Sequence, residues 1–503
     1  MKRDRWGNRA AFILAAVGSA AGLGNAWRFP YIVYKYGGGA FLIPYFVALL
    51  TAGIPLLIME FSLGQKYQLG APEALGKIRK KFSIIGWWTT LTAFFIVIYY
   101  AGVMAWIWDY IWGSFTVAWG NDAGGYFYNN VLQLSSGPGE LGGFSIPVLI
   151  GVIITWIAIY LILRKGTESV GKVVWVTVTL PIALLIILML RAVTLPGAVQ
   201  GLNYYLQPDF SKLLDPQVWI AAYSQIFFTL SIGMGIMIAY ASYMPKDSDI
   251  VNNALITVFA NSGVSFLAGF GIFGTLGYMA QTQGVPISEV AASGVGLAFV
   301  VYPNAINMLP GGPIVATIFG LIFFLTLLTL GIDSAFSLVE ANVTAFTDKL
   351  QLNKRKITLW TIIVMGLFSL IFASKAGLYW LDIVDYYMNN YALLLGGLLE
   401  CIAIGWFFSP TKLRDYFNPI SEYQVGPWWD FMVKILTPAV LLYLVASKFY
   451  VNTFGKEPYG GYDNIYQWLG GWGLLIVMLI ISVVFANIRS REIDSLNAET
   501  SNY

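Results

Sequence analysis

Apolar residues fall in blocks of about twenty or more along this chain, the length that takes a helix across the hydrocarbon core of a bilayer. Short polar stretches part them. Twelve spans are predicted: 10–34, 40–66, 83–113, 145–163, 169–192, 218–242, 249–279, 312–348, 357–374, 379–408, 428–450 and 466–488. The fold class that follows is all-α and polytopic. Lys and Arg collect on alternate connections: Lys2, Arg3, Arg5 and Arg9; Lys77, Arg79, Lys80 and Lys81; Arg164 and Lys165; Lys246; Lys354, Arg355 and Lys356; Lys412 and Arg414; Arg489 and Arg491. Segments 119–143 and 282–311 have none. That bias predicts a multi-pass protein of the plasma membrane with both termini cytoplasmic.

Two blocks have the wrong residues for a quiet span. Residues 18–30, Gly-Ser-Ala-Ala-Gly-Leu-Gly-Asn-Ala-Trp-Arg-Phe-Pro, set Gly18, Gly22 and Gly24 beside the polar Asn25 and Arg28. Glycines weaken a helix, and backbone that unwinds at membrane depth survives only when buried in protein or lining a wet cavity. Small residues also serve close helix packing, but an intramembrane arginine is costly and marks a functional site by default. The second block is 218–242, whose centre Phe-Phe-Thr-Leu-Ser-Ile-Gly-Met-Gly (227–235) again mixes hydroxyls with paired glycines. It lies five spans after the first, an odd number, so the two interrupted helices run in opposite directions. Matching interruptions in two halves predict an inverted repeat with a binding site at the midplane. Residues 1–192 would hold spans 1–5, 218–408 spans 6–10, 428–488 two peripheral spans, and 489–503 a cytoplasmic tail.

Of 503 residues, 58% are hydrophobic and 11% charged, and a net charge of +3 is too small to attract nucleic acid. The chain has no histidine, which removes His-ligated zinc and His-based triads, and its one cysteine, Cys401, excludes an intrachain disulfide. Gly-Leu-Gly-Asn at 22–25 begins like a nucleotide loop but lacks the third glycine and the preceding strand. An enzyme is not predicted. The basic N-terminus leads into the polar motif without a cleavage site, and is read as a first span instead of a signal peptide. Segments 119–143, 193–217 and 282–311 are rich in Gly, Pro and aromatics and are expected as folded caps over an entrance. They hold no Asn-X-Ser/Thr acceptor, in keeping with a prokaryotic protein.

Several motifs together resemble the neurotransmitter:sodium symporter family, in particular its bacterial leucine-transporter-like members. They are Gly-Leu-Gly-Asn-Ala-Trp-Arg-Phe-Pro (22–30), Gly37-Gly38-Gly39-Ala40-Phe41, Ile54-Pro55-Leu56, Gln225-Ile226-Phe227-Phe228-Thr229-Leu230-Ser231 and Gly331-Ile332-Asp333-Ser334. They occur in order across spans 1–10; spans 11 and 12 match only in hydropathy. The resemblance implies about 12 helices, a 5+5 inverted repeat and broken helices 1 and 6. It also implies two sodium ions. The first would be held by the Ala20 carbonyl and the side chains of Asn25, Thr229 and Asn261, with the substrate carboxylate completing the shell. The second would lie between the carbonyls of Gly18, Ala21 and Leu330 and the side chains of Asp333 and Ser334. An unpaired carboxylate inside the apolar stretch 314–339 costs at least a few kcal/mol, which a bound cation removes. The rival is a protonated Asp333 that carries a proton. Proton-coupled relatives place a lysine in span 5 to imitate the ion, and none stands between Val173 and Arg191.

The resemblance also places the substrate. Its carboxylate would meet the amides of Leu23 and Gly24 and the Tyr100 hydroxyl. Its ammonium would meet the carbonyls of Ala20, Phe228 and Thr229 and the Ser231 hydroxyl. Gly22 stands where monoamine carriers have an aspartate, so an amino acid is implied. The side-chain pocket would be Ile96, Tyr100, Val103, Phe228, Met234, Ser334 and Leu338, suited to a neutral, hydrophobic substrate. Arg28 and Asp385 would bridge to close the outside above Phe228 and Tyr100. Arg3 and Asp348 would close the inside, with Trp6 packed near Ser242 and Tyr243. Gly171 and Pro181 bracket a half-helix expected to unwind and hydrate the second ion, a static kink being the alternative. Glu60, Glu340 and Glu400 are assigned structural hydrogen bonding.

Chloride-independent relatives carry a glutamate in span 7, four residues after the sodium-binding Asn. Here that position is Ser265, and 250–279 contains no acid. Tyr45, Gln225, Thr229 and Ser265 match the cluster that holds chloride in dependent members. Two sodium ions facing Asp333 and a zwitterion leave an uncompensated positive charge, which chloride would remove. The alternatives are that Ser265 bonds a backbone carbonyl, or that Glu60 compensates from further off.

The implied function is sodium-coupled symport of neutral amino acids by alternating access, with no obligate protein partner. A substrate-gated receptor using the same pocket and a proton-coupled transporter are the alternatives. Two sodium ions moved with a zwitterion through 100 mV release about 4.6 kcal/mol, about three decades of accumulation.

Overall fold

The computed structural model describes residues 3–290, 294–455 and 459–488. Among them the regular elements are helical, with one isolated bridge between Phe144 and Ser374. Helices α1 (Arg9–Ala20) and α2 (Gly24–Lys35) are bent by 52° at the break between them. They are followed by α3 (Gly38–Tyr67), α4 (Lys80–Ser114), α5 (Ile146–Leu163) and α6 (Thr167–Val193). The short α7 (Pro216–Thr229) and α8 (Ile236–Ala241) come next. The rest are α9 (Val251–Gln283), α10 (Gly312–Leu350), α11 (Lys354–Ala373), α12 (Gly377–Phe408), α13 (Pro427–Phe454) and α14 (Asn464–Asn487). Ten of these are singly long and apolar enough to cross a membrane, and the bent α1–α2 pair makes an eleventh. The expected span at 218–242 is divided: α7 has 14 residues and α8 has 6, and neither reaches bilayer length alone. The protein is an all-α, multi-pass membrane protein.

Local chemistry starts the helices that carry the site. The Asn8 side chain accepts from the Ala11 amide at 2.8 Å and caps α1. Asp215 accepts from the Gln217 amide at 2.9 Å, and Pro216 opens α7 where its missing N–H costs nothing. Burial then sorts the helices. The most apolar stretch of α4 is 89% buried, against 28% in α6 and α13, so α4 stands inside the bundle and the others at its rim. Rim helices turn Ile150, Ile157, Leu442 and Val477 outward. Such a belt suits lipid, where every backbone polar group must be paired within its own helix.

Parts of the inter-span segments fold as expected for caps. The Tyr110 hydroxyl donates to the Phe299 carbonyl at 2.5 Å, and the Ser145 amide donates to Ala373 at 2.9 Å. Residues 291–293 of one cap, and the tail 489–503 with Arg489 and Arg491, lie outside the described residues. In this state α6 runs unbroken through Gly171 and Pro181, and the half-helix expected to unwind is intact. Pro181 deletes one backbone bond, but the Thr177 hydroxyl ties the turn to the Val173 carbonyl at 3.1 Å and across to Asp333 at 2.5 Å.

Candidate ion and substrate site

The two breaks face each other. After α1, Ala21 leaves the helical region (φ −80, ψ 77), and the Gly22 amide turns back to the Ala20 carbonyl at 3.0 Å. Between α7 and α8, Ser231 (φ 54), Gly233 (φ 74) and Gly235 (φ 68) are left-handed. For Ser231 that conformation carries strain, and its hydroxyl donates to the Ser19 carbonyl at 3.1 Å. Glu60 of α3 accepts from the Gly233 amide at 2.7 Å, so one carboxylate holds the second break open, with Glu400 beside it. Close approach explains two glycines of the first motif. A Cβ on Gly18 would lie 2.5 Å from Asp333 Oδ2, and one on Gly22 would lie 2.5 Å from Ser334 Oγ.

Three polar side chains meet between the breaks. Asn25 Oδ1 accepts from Thr229 Oγ1 at 3.2 Å and from the Gly22 amide at 3.0 Å. Thr229 Oγ1 also donates to Asn261 Oδ1 at 3.2 Å, and Asn25 Nδ2 to that same oxygen at 2.8 Å. All three residues are buried. A set of neutral oxygens fits a hard monovalent cation, since hard cations take oxygen ligands. Asp333 is 1% exposed and joins no ion pair among the described residues. Its neighbours include Gly18, as shown by the Cβ contact, and Thr177, whose hydroxyl donates to it. Ala21 and Leu330, expected in the same shell, are buried too. Ser334 donates to the Ser19 carbonyl at 3.2 Å and turns toward Gly22. Thr177 escaped the sequence reading, which searched α6 for a lysine; a threonine midway between Gly171 and Pro181 was the available signal.

The chloride cluster is assembled only in part. Ser265 Oγ accepts from Asn25 Nδ2 at 2.7 Å, so it touches the first ion group directly. Tyr45 pairs with Ser262 at 3.0 Å instead of Ser265, one helical turn away on α9. Both polar atoms of the Gln225 amide, and Asn261 Nδ2, are buried without a hydrogen-bond partner. Uncommitted buried donors of this kind are costly unless something binds them.

All the expected substrate residues except Val103 line one cavity of about 40 Å³, to which Ser19 and Asn25 also contribute. Val103 faces a larger cavity of about 570 Å³ stacked above it, because it lies nearly one turn beyond Tyr100 on α4. Leu23, Gly24, Tyr100 and Phe228 line both cavities and form the partition. The Leu23 amide points at the Tyr100 hydroxyl, 3.4 Å away.

The sodium:neurotransmitter symporter family matches residues 3–124 and 120–492. The chain belongs to that family. It is 43% identical over 497 residues to an uncharacterized sodium-dependent transporter of Methanocaldococcus jannaschii, spanning 97% of this chain and 99% of the relative. It is 36% identical over 526 residues to human sodium- and chloride-dependent GABA transporter 2, spanning 95% of this chain and 85% of the relative. The protein is therefore a sodium-dependent transporter of this family and not an enzyme.

The ends of this transporter's site differ. On the face that bears the N-terminus, Arg3 Nη1 meets Asp348 Oδ1 at 2.5 Å, and Arg3 also donates to the Ser242 carbonyl and hydroxyl. Burial works against the Arg3 charge, but Asp348, Tyr243 and Glu340 outweigh it and hold its pKa above the ordinary value. Trp6 is buried and donates to the Tyr240 carbonyl at 2.8 Å, with its ring edge-on to Tyr243. Lys354 adds a second lock, bonding Asp4 at 2.9 Å, Glu340 at 2.6 Å and the Tyr243 hydroxyl at 3.0 Å. Glu340 is thus an ion-pair member and not only a hydrogen-bonding residue. At the other end the expected Arg28–Asp385 bridge is not made. Asp385 accepts from the Tyr99 hydroxyl at 2.7 Å and from Asn389 at 2.8 Å. The Arg28 guanidinium lies over the Phe228 ring at 4.8 Å.

Proposed function

We propose that the protein imports neutral, apolar amino acids with two sodium ions by alternating access. The observation that carries this reading is that no charged side chain among the described residues lines the inner cavity. A zwitterion there must be met by backbone, hydroxyls and a cation it shares. Asn25, Thr229 and Asn261, with the Ala20 carbonyl, are the proposed first sodium site, and Asp333 and Ser334, with the carbonyls of Gly18, Ala21 and Leu330, the second. Thr177 orients Asp333. The substrate carboxylate would face Leu23, Gly24 and Tyr100, and its ammonium the carbonyls of Ala20, Phe228 and Thr229 and the Ser231 hydroxyl. The halves 1–192 and 218–408 are read as inverted repeats, 428–488 as peripheral, and the N-terminus as cytoplasmic; the archaeal relative favours a prokaryotic membrane. On that orientation this is an outward-facing state, shut inside by Arg3–Asp348 and open outside to the 570 Å³ cavity.

Uptake into proteoliposomes under an imposed sodium gradient, with a competition panel of the twenty amino acids and GABA, tests the reading. Apolar α-amino acids should compete. GABA, named for the human relative, has the same two charges further apart; competition by GABA alone would overturn the α-amino acid assignment. Gly22→Asp should weaken amino-acid binding at least about tenfold, because it sets a carboxylate beside the substrate's own in a partly desolvated site. Unchanged affinity would show that the carboxylate binds elsewhere. Arg3→Ala removes a largely buried pair at the edge of the bundle, whose value lies between surface and buried cases, about 1–2 kcal/mol. It should speed alkylation of a Ser337→Cys reporter about tenfold by opening the inner side. Cys401 is buried and gives little background. Labelling at the wild-type rate would mean that this pair does not hold the pathway shut.

A further inference from the structure

A separate cavity of about 130 Å³ lies beside the outer one, where α2, α7, α12 and α13 meet. Arg28, Lys35 and Lys448 line it, together with Gln217, Ser224 and Tyr36, and no carboxylate among the described residues does. None of the three cations forms an ion pair among the described residues. Lys35 instead lies over the rings of Tyr31 and Tyr36 at 5.7 and 5.6 Å. Lys448 is in the electrostatic field of both Arg28 and Lys35. Three like charges on one wall raise each other's free energy, and more so where the dielectric is below that of water. The rings under Arg28 and Lys35 offset part of that cost, and an anion held among the three cations, with hydroxyl and amide neighbours, offsets more of it.

Arg28 belongs to both cavities, and Asp385 to the outer one alone. An anion held against one side of the guanidinium competes with Asp385 for it. We propose that Arg28, Lys35 and Lys448 form an anion site at the extracellular rim, and that a small monovalent anion bound there keeps Arg28 from Asp385 and the outer gate open. This rests on the outward-facing reading above. The site shares no residue with the Ser265 cluster, whose members are buried on α3, α7 and α9. The cavity takes chloride with several waters, or a compact carboxylate such as acetate. Gluconate, a bulkier polyol carboxylate, must displace more of that water and is the weaker ligand. Because a ligand shifts an equilibrium only through its differential affinity, the anion acts on the gate and not on the inner pocket.

Bromide soaked into crystals locates the site by anomalous scattering. A peak is expected among Arg28, Lys35 and Lys448, and it should disappear in Lys448→Gln. A Leu378→Cys reporter on the outer cavity wall reads the gate in Ser265→Glu protein, where the inner anion is replaced. Alkylation should be about fivefold faster in chloride and in acetate than in gluconate, and the difference should vanish in Lys35→Gln, a rim variant whose folding is not in question because the side chain is exposed. The chloride and acetate arms tell an inorganic ion from a carboxylate. No rim peak overturns the proposal. A peak with alkylation indifferent to all three anions means an adventitious ion only, and overturns the gating role. If the reporter also ignores Asp385→Asn, the gate reading itself fails, and the gating role with it.

Discussion

Asp333→Asn should reduce sodium-driven uptake about a hundredfold while the protein still folds. The carboxylate is 1% exposed and has no cationic partner among the described residues, so the ion it is proposed to bind is the charge that balances it. Removing one member of a buried charge pair costs about 3 kcal/mol or more, which is about two decades in affinity. The substitution is nearly isosteric and leaves Thr177 an oxygen to donate to, so the packing of α6 on α10 should survive. Initial uptake rates across a sodium titration, alongside a thermal melt, separate ion loss from unfolding. Wild-type sodium dependence in Asp333→Asn would remove the second site. A variant whose uptake becomes dependent on pH in place of sodium would favour the proton-carrier alternative.

Replacing chloride by gluconate should lower sodium-dependent substrate binding about tenfold, and Ser265→Glu should restore it in gluconate. Ser265 is 2.7 Å from Asn25, a proposed sodium ligand, so a charge at Ser265 acts on that ion at short range and low dielectric. The uncommitted amide of Gln225 supplies a donor for an anion, and none of its atoms is otherwise engaged. Tyr45 would have to exchange its bond to Ser262 to join. The human relative is chloride-dependent by name. Equilibrium binding in matched chloride and gluconate buffers checks both arms. Indifference of the wild type to chloride would leave the two alternatives: Ser265 as a plain hydrogen-bonding residue, whose hydroxyl donates to the Asn261 carbonyl at 3.4 Å, or Glu60, which accepts from the Gly233 amide at 2.7 Å, as the compensating acid.

Bilayer thickness imposes a length on each span, so hydropathy alone placed most of the helices: 145–163 was expected and Ile146–Leu163 is found. Backbone that cannot stay helical at membrane depth is rare, so glycines beside Asn25 and beside Ser231 pointed to the two breaks. The resemblance of the local motifs to the family then pointed to residues that, Val103 excepted, line one cavity. Only the tertiary structure decided what depends on contacts between distant segments. The bond from Thr177 to Asp333, the Lys354 lock on Asp4 and Glu340, and the hold of Glu60 on Gly233 each join residues more than ten positions apart. Val103 fell on the other side of the partition because three residues carry it about 4.5 Å along α4 from Tyr100, and Tyr45 pairs with Ser262, one turn from Ser265. The state of the gates was beyond the sequence altogether. The same residues support an Arg28–Asp385 bridge or an open vestibule, and a sequence holds both while a structure shows one.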